Sequence, residues 1–510
     1  MLIRGKYLIR DPHKSDAILE DGAVYTRGAR IAELGKHADL VARYPDEEQI
    51  GSGDDLLLPG LVNAHDHGRA PSSLQLGIAD DDLELWLPSL IGQRAVDPYL
   101  ATAYAAIQQI ESGVTTVLHS YYDPNLAGDQ NALEVTIRAY EQAGLRAVLA
   151  LGVLDRSPIS AHFEKLLPVL PPDLQAKLSV FLQRRPVLTV ETFLSIFRTW
   201  HQELESENGR IKAILGPVSA HWCSRSLLDA MQREAEALQI PIQIHLLETR
   251  RQRDRALKRH GVTAVAWLHN IGFLSPLLSC AHCVWVSAED IELLAQNGAS
   301  VVHNPGSNLR LHSGIAPVSR MLQNGVNVAL GTDSLSFGDD GDLLEEMRLA
   351  AYLQRASDAE AASPTPMQML AMATTNGAQA LGLAEDSGVL AAGKKADLIL
   401  LSLDRIRAPF ADSQMDVAHL LLSKATAGDV HTVVVDGQLI MHNRKILLLD
   451  KEAIASELRA QLSHARSRQE TENLELSRLL KPYARKQFQG KRTLLPGAPA
   501  ATTEHRLLER

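Results

Sequence analysis

An α/β fold built on a (β/α)8 barrel is what this 510-residue chain predicts, from three observations. Helical segments alternate with short strands through most of the sequence. Those strands are apolar throughout, as strands covered on both faces are. Two β-rich stretches flank the alternating region, one on each side.

The elements follow in order. The first β segment, residues 1–58, holds strand-like pieces at Ala17 to Tyr25 and Arg30 to Leu34. It ends in the run Leu56-Leu57-Leu58-Pro59-Gly60-Leu61-Val62, where Pro59-Gly60 turns the chain into the next element. Residues 59–384 then carry the repeats. Leu100 to Glu111 precedes Val114 to Leu118, and Asn131 to Gln142 precedes Arg146 to Leu151. Further units are Ser226 to Ala237 with Ile240 to Ile244, Ser287 to Gln296 with Ala299 to Val302, and Val318 to Gln323 with Val326 to Leu330. So many repeats suit a closed barrel better than an open sheet, although periodicity alone does not close it.

Around residues 157–203 the pattern loosens at Pro168 and Pro171-Pro172, so an excursion above the barrel is expected, as a lid or a subunit contact. Residues 385–450 return to strands, at Gly388 to Leu390, Ala396 to Leu401, Val430 to Val435 and Gln438 to Met441. Asp436-Gly437 marks a hairpin between the last two. This segment is expected to rejoin residues 1–58 in one small β domain. Residues 451–510 read as a charged helical extension to Leu480, then a loosely ordered tail or an arm on a partner subunit.

Bulk properties narrow the function. A hydrophobic content of 45% supports one large core and a satellite domain. No apolar stretch is long enough to span a bilayer, and the first residues lack a signal-peptide pattern, so a cytoplasmic protein is expected. A net charge of -10 argues against a nucleic-acid partner. Three cysteines are too few for a disulfide scaffold, and the lone pair Cys280 and Cys283 lacks the second pair that a four-thiolate zinc site needs. Both are expected to be buried thiols.

Chemistry concentrates where predicted barrel strands end. His65-Asp66-His67 follows Leu61-Val62, His245 follows Ile242 to Ile244, His282 follows Leu277 to Ala281, and Asp333 follows Val328 to Thr332. Residues two apart in a strand point the same way, so His65 and His67 can reach one ion. Imidazoles with a carboxylate favour zinc or iron over calcium or magnesium. Each residue alone has an ordinary alternative, in the core, on the surface or as a helix cap. The set is stronger because every member closes an apolar strand, where barrel active sites lie. Glu248, three residues after His245, suits a proton shuttle, with a helix-start glutamate as the plainer alternative.

At these residues the chain resembles the amidohydrolase superfamily, in the branch of adenosine-type, guanine and triazine deaminases and chlorohydrolases. The matching stretches are Pro59 to His67, His245 to Thr249, Ala281 to Trp285, His303 to Leu309, Leu330 to Asp333, Glu345 to Arg348, Ala373 to Ala378 and Gly393 to Leu398. The resemblance spans about residues 1–450 and implies the barrel with a small β-sandwich domain made from both terminal segments. It implies one divalent metal ion per subunit, zinc before iron, held by His65, His67, His245 and Asp333. Glu248 becomes the proton shuttle, and His282 steadies the attacked atom and the water. Asp333 also accepts the water's proton. Lys212 is expected to face away from the ion.

The implied reaction is hydrolytic removal of an amino group from a small nitrogen heterocycle, in a homodimer or larger homo-oligomer. Loss of chloride and opening of a cyclic amide use the same apparatus. A non-catalytic metal-binding or ligand-binding barrel is a further alternative, but it would not need Glu248 and His282. Arg69, Trp86, Tyr121 and its neighbour Tyr122, Trp222 and His303 are candidate substrate contacts. The chain departs from the family at Gly68 to Ser73 and at Ser334 to Asp342, both bordering the substrate, so the ring is left unassigned.

Overall fold

The computed structural model describes residues 1–156, 166–184, 187–206, 209–357 and 361–488. Eight parallel strands form the barrel: β1 (Leu61–Asp66), β2 (Val114–Tyr121), β3 (Arg146–Val153), β4 (Ile211–Pro217), β5 (Ile242–Leu246), β6 (Leu278–His282), β7 (Ser300–His303) and β8 (Asn327–Leu330). Each pairs with its sequence neighbour. The ring closes where the backbone N–H groups of Thr332 and Asp333 donate to the His65 carbonyl, at 3.1 and 2.9 Å.

The apolar strands are explained by two cores. Val62, Leu118, Val148, Ile214, Val302 and Ala329 fill the barrel. The alternate residues Val117, Leu149, Leu215, Ile244, Val301 and Val328 pack outward beneath the helices. Helix Thr375–Ala380 plugs the amino end of the barrel with Ala378 and Ala380. A side chain at Gly377 would place its Cβ 2.8 Å from Val62, so only glycine lets the plug seat. The carboxyl end is left for chemistry.

The terminal β segments share one sheet, as expected. Its strand order is Lys445–Ile446, Gln438–His442, Val430–Val435, Leu398–Ser402, Asp55–Pro59, Leu2–Ile9, Ile18–Arg27 and Arg30–Lys36, with Gln49–Ile50 also on Leu2–Ile9. The small domain is thus one mixed sheet, not two separate sheets. Leu57, Leu398 and Leu400 join its inner core with Val24 and Ile31, whereas Leu56, Leu58, Ile399 and Leu401 face the barrel. Strands buried on both faces read as unbroken apolar runs. Asp436 and Gly437 form the hairpin with φ of 49° and 70°, the twist such a turn requires. Gly388 to Leu390 is not a strand: Gly388 has a φ of 91°, and Leu390 hydrogen-bonds back to Arg10.

A buried charge cluster joins the sheet to the barrel. Arg146 on β3 donates to Asp397 at 3.1 Å and to Asp436 at 2.7 Å, with Lys395 3.1 Å from Asp436. Arg146→Ala leaves two carboxylates without their main counter-charge and is expected to cost about 3–5 kcal/mol in chemical denaturation.

Helix Pro172–Gln183 lies in the predicted excursion, of which residues 157–165 and 185–186 fall outside the described ones. The extension is two helices, Lys451–Ser463 and Arg468–Phe488. The second therefore runs on through Pro482, beyond the predicted start of the tail at Lys481. Residues 489–510 of that tail lie outside the described residues. No helix among the described residues is long and apolar enough to cross a membrane.

Candidate active site

A bulge aims the first imidazole. Asn63 pairs with Val117 and Asp66 with His119, so β1 carries one extra residue over this step. That irregularity turns His65 inward to meet Gln243 across the barrel. His67 follows the strand end, and its ring lies 5.2 Å from that of His65. Asp66 points the other way and ties the loops together, accepting from Gly68 N at 2.6 Å, Ser334 N at 3.0 Å and Ser334 Oγ at 2.8 Å.

One ligand atom from each of His65, His67, His245 and Asp333 lies within 4.8 Å of all the others. The hydrogen bonds fix which atoms these are. His65 Nδ1–H donates to Gln243 Oε1 at 2.6 Å, His67 Nδ1–H to Ser120 O at 3.0 Å, and His245 Nδ1–H to Val218 O at 2.7 Å. Each ring's proton is thereby committed to Nδ1, leaving Nε2 with a free lone pair. Yet the Nε2 atoms of His65 and His67 stand 3.1 and 3.0 Å from Asp333 Oδ1. Unshared pairs at that distance repel unless a cation lies among them, and this donor set fits a divalent ion.

Gln243 is a positioning residue that the apolar pattern hid. Its amide nitrogen donates to Ala64 O at 2.9 Å and Ser279 Oγ at 3.1 Å, so its oxygen must face His65. A polar residue between Ile242 and Ile244 was the available signal. Gln243→Leu is expected to weaken metal affinity by about 10–100-fold, checked by competition with a chelating indicator.

Glu248 and His282 border the same point. His282 Nε2 lies 3.9 Å from both Glu248 Oε2 and Asp333 Oδ2. Its Nδ1 donates to Asn308 Oδ1 at 2.9 Å, and Ser307 Oγ donates to Asp333 Oδ2 at 2.6 Å. Burial, with the charges of Asp333 and Glu84 nearby, pushes Glu248 well above the carboxylate range. Its proton is therefore held to higher pH than that of an exposed glutamate. Burial pushes His282 down to about 4, so its ring is neutral near neutral pH. Left-handed backbone at Leu247, His282, Cys283, Asp333 and Ser334 (φ 49°, 76°, 46°, 57° and 52°) aims these strand ends, strain of the kind stored at functional sites.

Glu346 accepts backbone N–H bonds from Gly306 at 2.8 Å and Phe337 at 2.6 Å, joining the helix of Ser307 and Asn308 to the loop after Asp333. Burial pushes it from an ordinary 4.5 to about 8. A raised folded-state value means its contribution to stability is complete below the unfolded value and is lost as pH rises through the folded one. The denaturant midpoint should therefore fall between about pH 5 and about pH 9, and Glu346→Gln should flatten that slope.

A cavity of about 480 Å³ opens above the ligands. Of the candidate contacts, Arg69, Trp86 and Trp222 line it. Tyr121 and His303 do not. Strand alternation turns Ser120 and Tyr122 to the cavity and Tyr121 away from it. His303 is 0% exposed, pointing opposite to the interior residue Val302. Lys212 is 3.9 Å from Glu205 on the outer helix Val190–Ser206, away from the ligands. Cys280 and Cys283 are buried thiols.

A (β/α)8 barrel with a histidine–aspartate cluster that suits a divalent metal, beside a buried glutamate and a further histidine at its carboxyl end, points to a hydrolase. The amidohydrolase family profile matches residues 56–440, and the chain belongs to that family. The chain is 33% identical to a 5'-deoxyadenosine deaminase of Methanosarcina acetivorans, over 90% of this chain and 96% of that protein. It is 34% identical to a 5-methylthioadenosine/S-adenosylhomocysteine deaminase of Moorella thermoacetica, over 89% and 98%. An adenosine deaminase structure from Xanthomonas campestris with bound zinc aligns with a TM-score of 0.75 at 25% identity, covering 90% of this chain and 97% of that one. Atrazine chlorohydrolase from Arthrobacter aurescens, complexed with zinc, shares the fold at a TM-score of 0.76 and 24% identity, over 90% and 99%.

Proposed function

We propose that the protein hydrolytically deaminates the purine ring of an adenosine-type nucleoside, using one zinc ion held by His65, His67, His245 and Asp333. The observation that carries this is the placement of buried Glu248 and His282 beside the ligand set, with His282 Nε2 3.9 Å from both Glu248 Oε2 and Asp333 Oδ2. A purely binding barrel has no use for that pair. The adenosine-derivative deaminases among its relatives support the ring, and the zinc-bound adenosine deaminase structure supports the metal.

When bound, the ion supplies a Lewis acid that makes a water molecule nucleophilic near neutral pH. The residues do the rest. Glu248 gives its proton to the ring nitrogen beside the amino-bearing carbon as the water's oxygen bonds to that carbon. Asp333 Oδ2 accepts a proton from the water. His282 Nε2 holds the new oxygen in place by hydrogen bonding, its own orientation fixed through Asn308. The proton on Asp333 passes to the amine, the carbon–nitrogen bond breaks and ammonia leaves, while the remaining hydroxyl proton returns to the emptied Glu248 carboxylate and the oxo ring departs. Trp86 and Trp222 supply flat apolar surface for the ring, and Arg69 faces its polar edge.

Ammonia release from adenosine, 5'-deoxyadenosine, 5'-methylthioadenosine and guanine tests the proposal. Release from the adenosine derivatives is expected. Turnover of these compounds without ammonia, or release only from guanine, would overturn it.

A further inference from the structure

The chemistry proposed above makes no use of the helical extension, yet the extension packs against the wall of the cavity. We infer that helix Arg468–Phe488 is a specificity-determining brace, holding the apolar wall of the substrate cavity in place from outside.

The wall has two parts. One is Leu83–Ser89 with the following turn Leu90–Gly92, and the other is helix Pro172–Gln183. Leu87, Leu90, Ile91, Phe181 and Leu182 from these parts line the cavity. Ile91 and Phe181 also belong to a separate apolar cluster that includes Leu174, Leu178, Leu476 and Leu480. The same side chains therefore meet the cavity on one side and the brace on the other. Leu480 is 0% exposed and Leu476 4%. Among the described residues, none from 468–488 lines the cavity.

Backbone contacts make the seating specific. A Cβ at Gly92 would lie 3.2 Å from Leu474 Cα, so the turn and the brace meet almost backbone to backbone. Ser477 Oγ donates to the carbonyls of Pro88 and Ser89 at 3.4 Å each, and Arg466 donates to Gly92 O at 3.1 Å. Ala95 N donates to Glu470 at 3.1 Å.

On its inner side the first wall segment is pinned to the catalytic loops. Thr249, next to Glu248, donates to Glu84 at 2.7 Å, and Arg310 pairs with Asp80 at 2.9 Å. The segment is thus clamped between the catalytic loops and the brace. Loosening only the outer clamp leaves Glu248 and the metal ligands in place and lets the wall recede. A close-packed wall discriminates among ligands by contact, which is lost when its support is removed. A bare nucleoside would lose little, and one with a bulky apolar 5' substituent would lose most.

This rests on the deaminase proposal, and the test separates the two. In the full chain, Leu476→Ala with Leu480→Ala is expected to raise KM for 5'-methylthioadenosine relative to adenosine by about tenfold. The kcat for adenosine and the metal content should stay unchanged. Amide exchange should quicken in residues 83–93 and 172–183 in either ligand state. If KM rises equally for both substrates, or for neither, the brace has only a structural role and the inference is overturned. If the double variant does not fold, Arg466→Gln with Ser477→Ala removes the carbonyl contacts instead and is read in the same way. If the unaltered protein releases no ammonia from either nucleoside, the deaminase proposal fails. Exchange then decides the brace alone, and unchanged protection of residues 83–93 overturns it.

Discussion

Replacing Glu248 with Gln lowers kcat/KM for the deaminated nucleoside by about 10³-fold while the metal content stays at the unaltered level. Glutamine keeps the shape of the side chain and a hydrogen bond to the substrate, but it has no proton to transfer. Glu248 is suited to the transfer because burial, together with Asp333 and Glu84, pushes its carboxyl well above the ordinary range. It keeps its proton to higher pH than an exposed glutamate does. Only transition-state stabilisation is removed, so the loss falls in kcat more than in KM. Ammonia release and elemental analysis on the same sample check the two halves. Unchanged turnover in the variant would show that another group carries the proton.

The second large effect belongs to Asp333. Asp333→Asn is expected to lower metal affinity by at least about 100-fold and to bring ammonia release to background. The carboxylate is the only anion in the ligand set, and its Oδ1 lies 3.1 and 3.0 Å from two imidazole nitrogens. A neutral amide leaves a divalent charge uncompensated in a buried site. The amide would also put a donor where Ser307 donates to Oδ2 at 2.6 Å. Metal retained after dialysis against a chelator is the measurement. Retention at the unaltered level would mean that the three imidazoles hold the ion without Asp333.

Much of the site is legible in the sequence because its residues close apolar strands, and a strand end is a local feature. His65 and His67 illustrate the limit. Their spacing implies two side chains on one face of a regular strand. In the fold the extra residue between Asn63 and Asp66 aims His65, and His67 lies just past the strand. Tyr121 and His303 mark a different limit. Each sits in a stretch that borders the chemistry, but alternation sends Tyr122 to the cavity instead of Tyr121 and buries His303. One residue of register reverses which face a side chain meets, and a list of apolar positions does not fix that register.

The sequence by itself determined the class of chemistry and the barrel that carries it. The donor types and the apolar strands before them are properties of short segments. Only the tertiary structure decided how those donors are held. Gln243, Ser120 and Val218 take the imidazole protons from positions far along the chain, which leaves the three Nε2 atoms free. Only the structure brought the C-terminal helix against the cavity wall. Packing between residues some hundreds of positions apart depends on how the chain closes in three dimensions, which local periodicity does not encode.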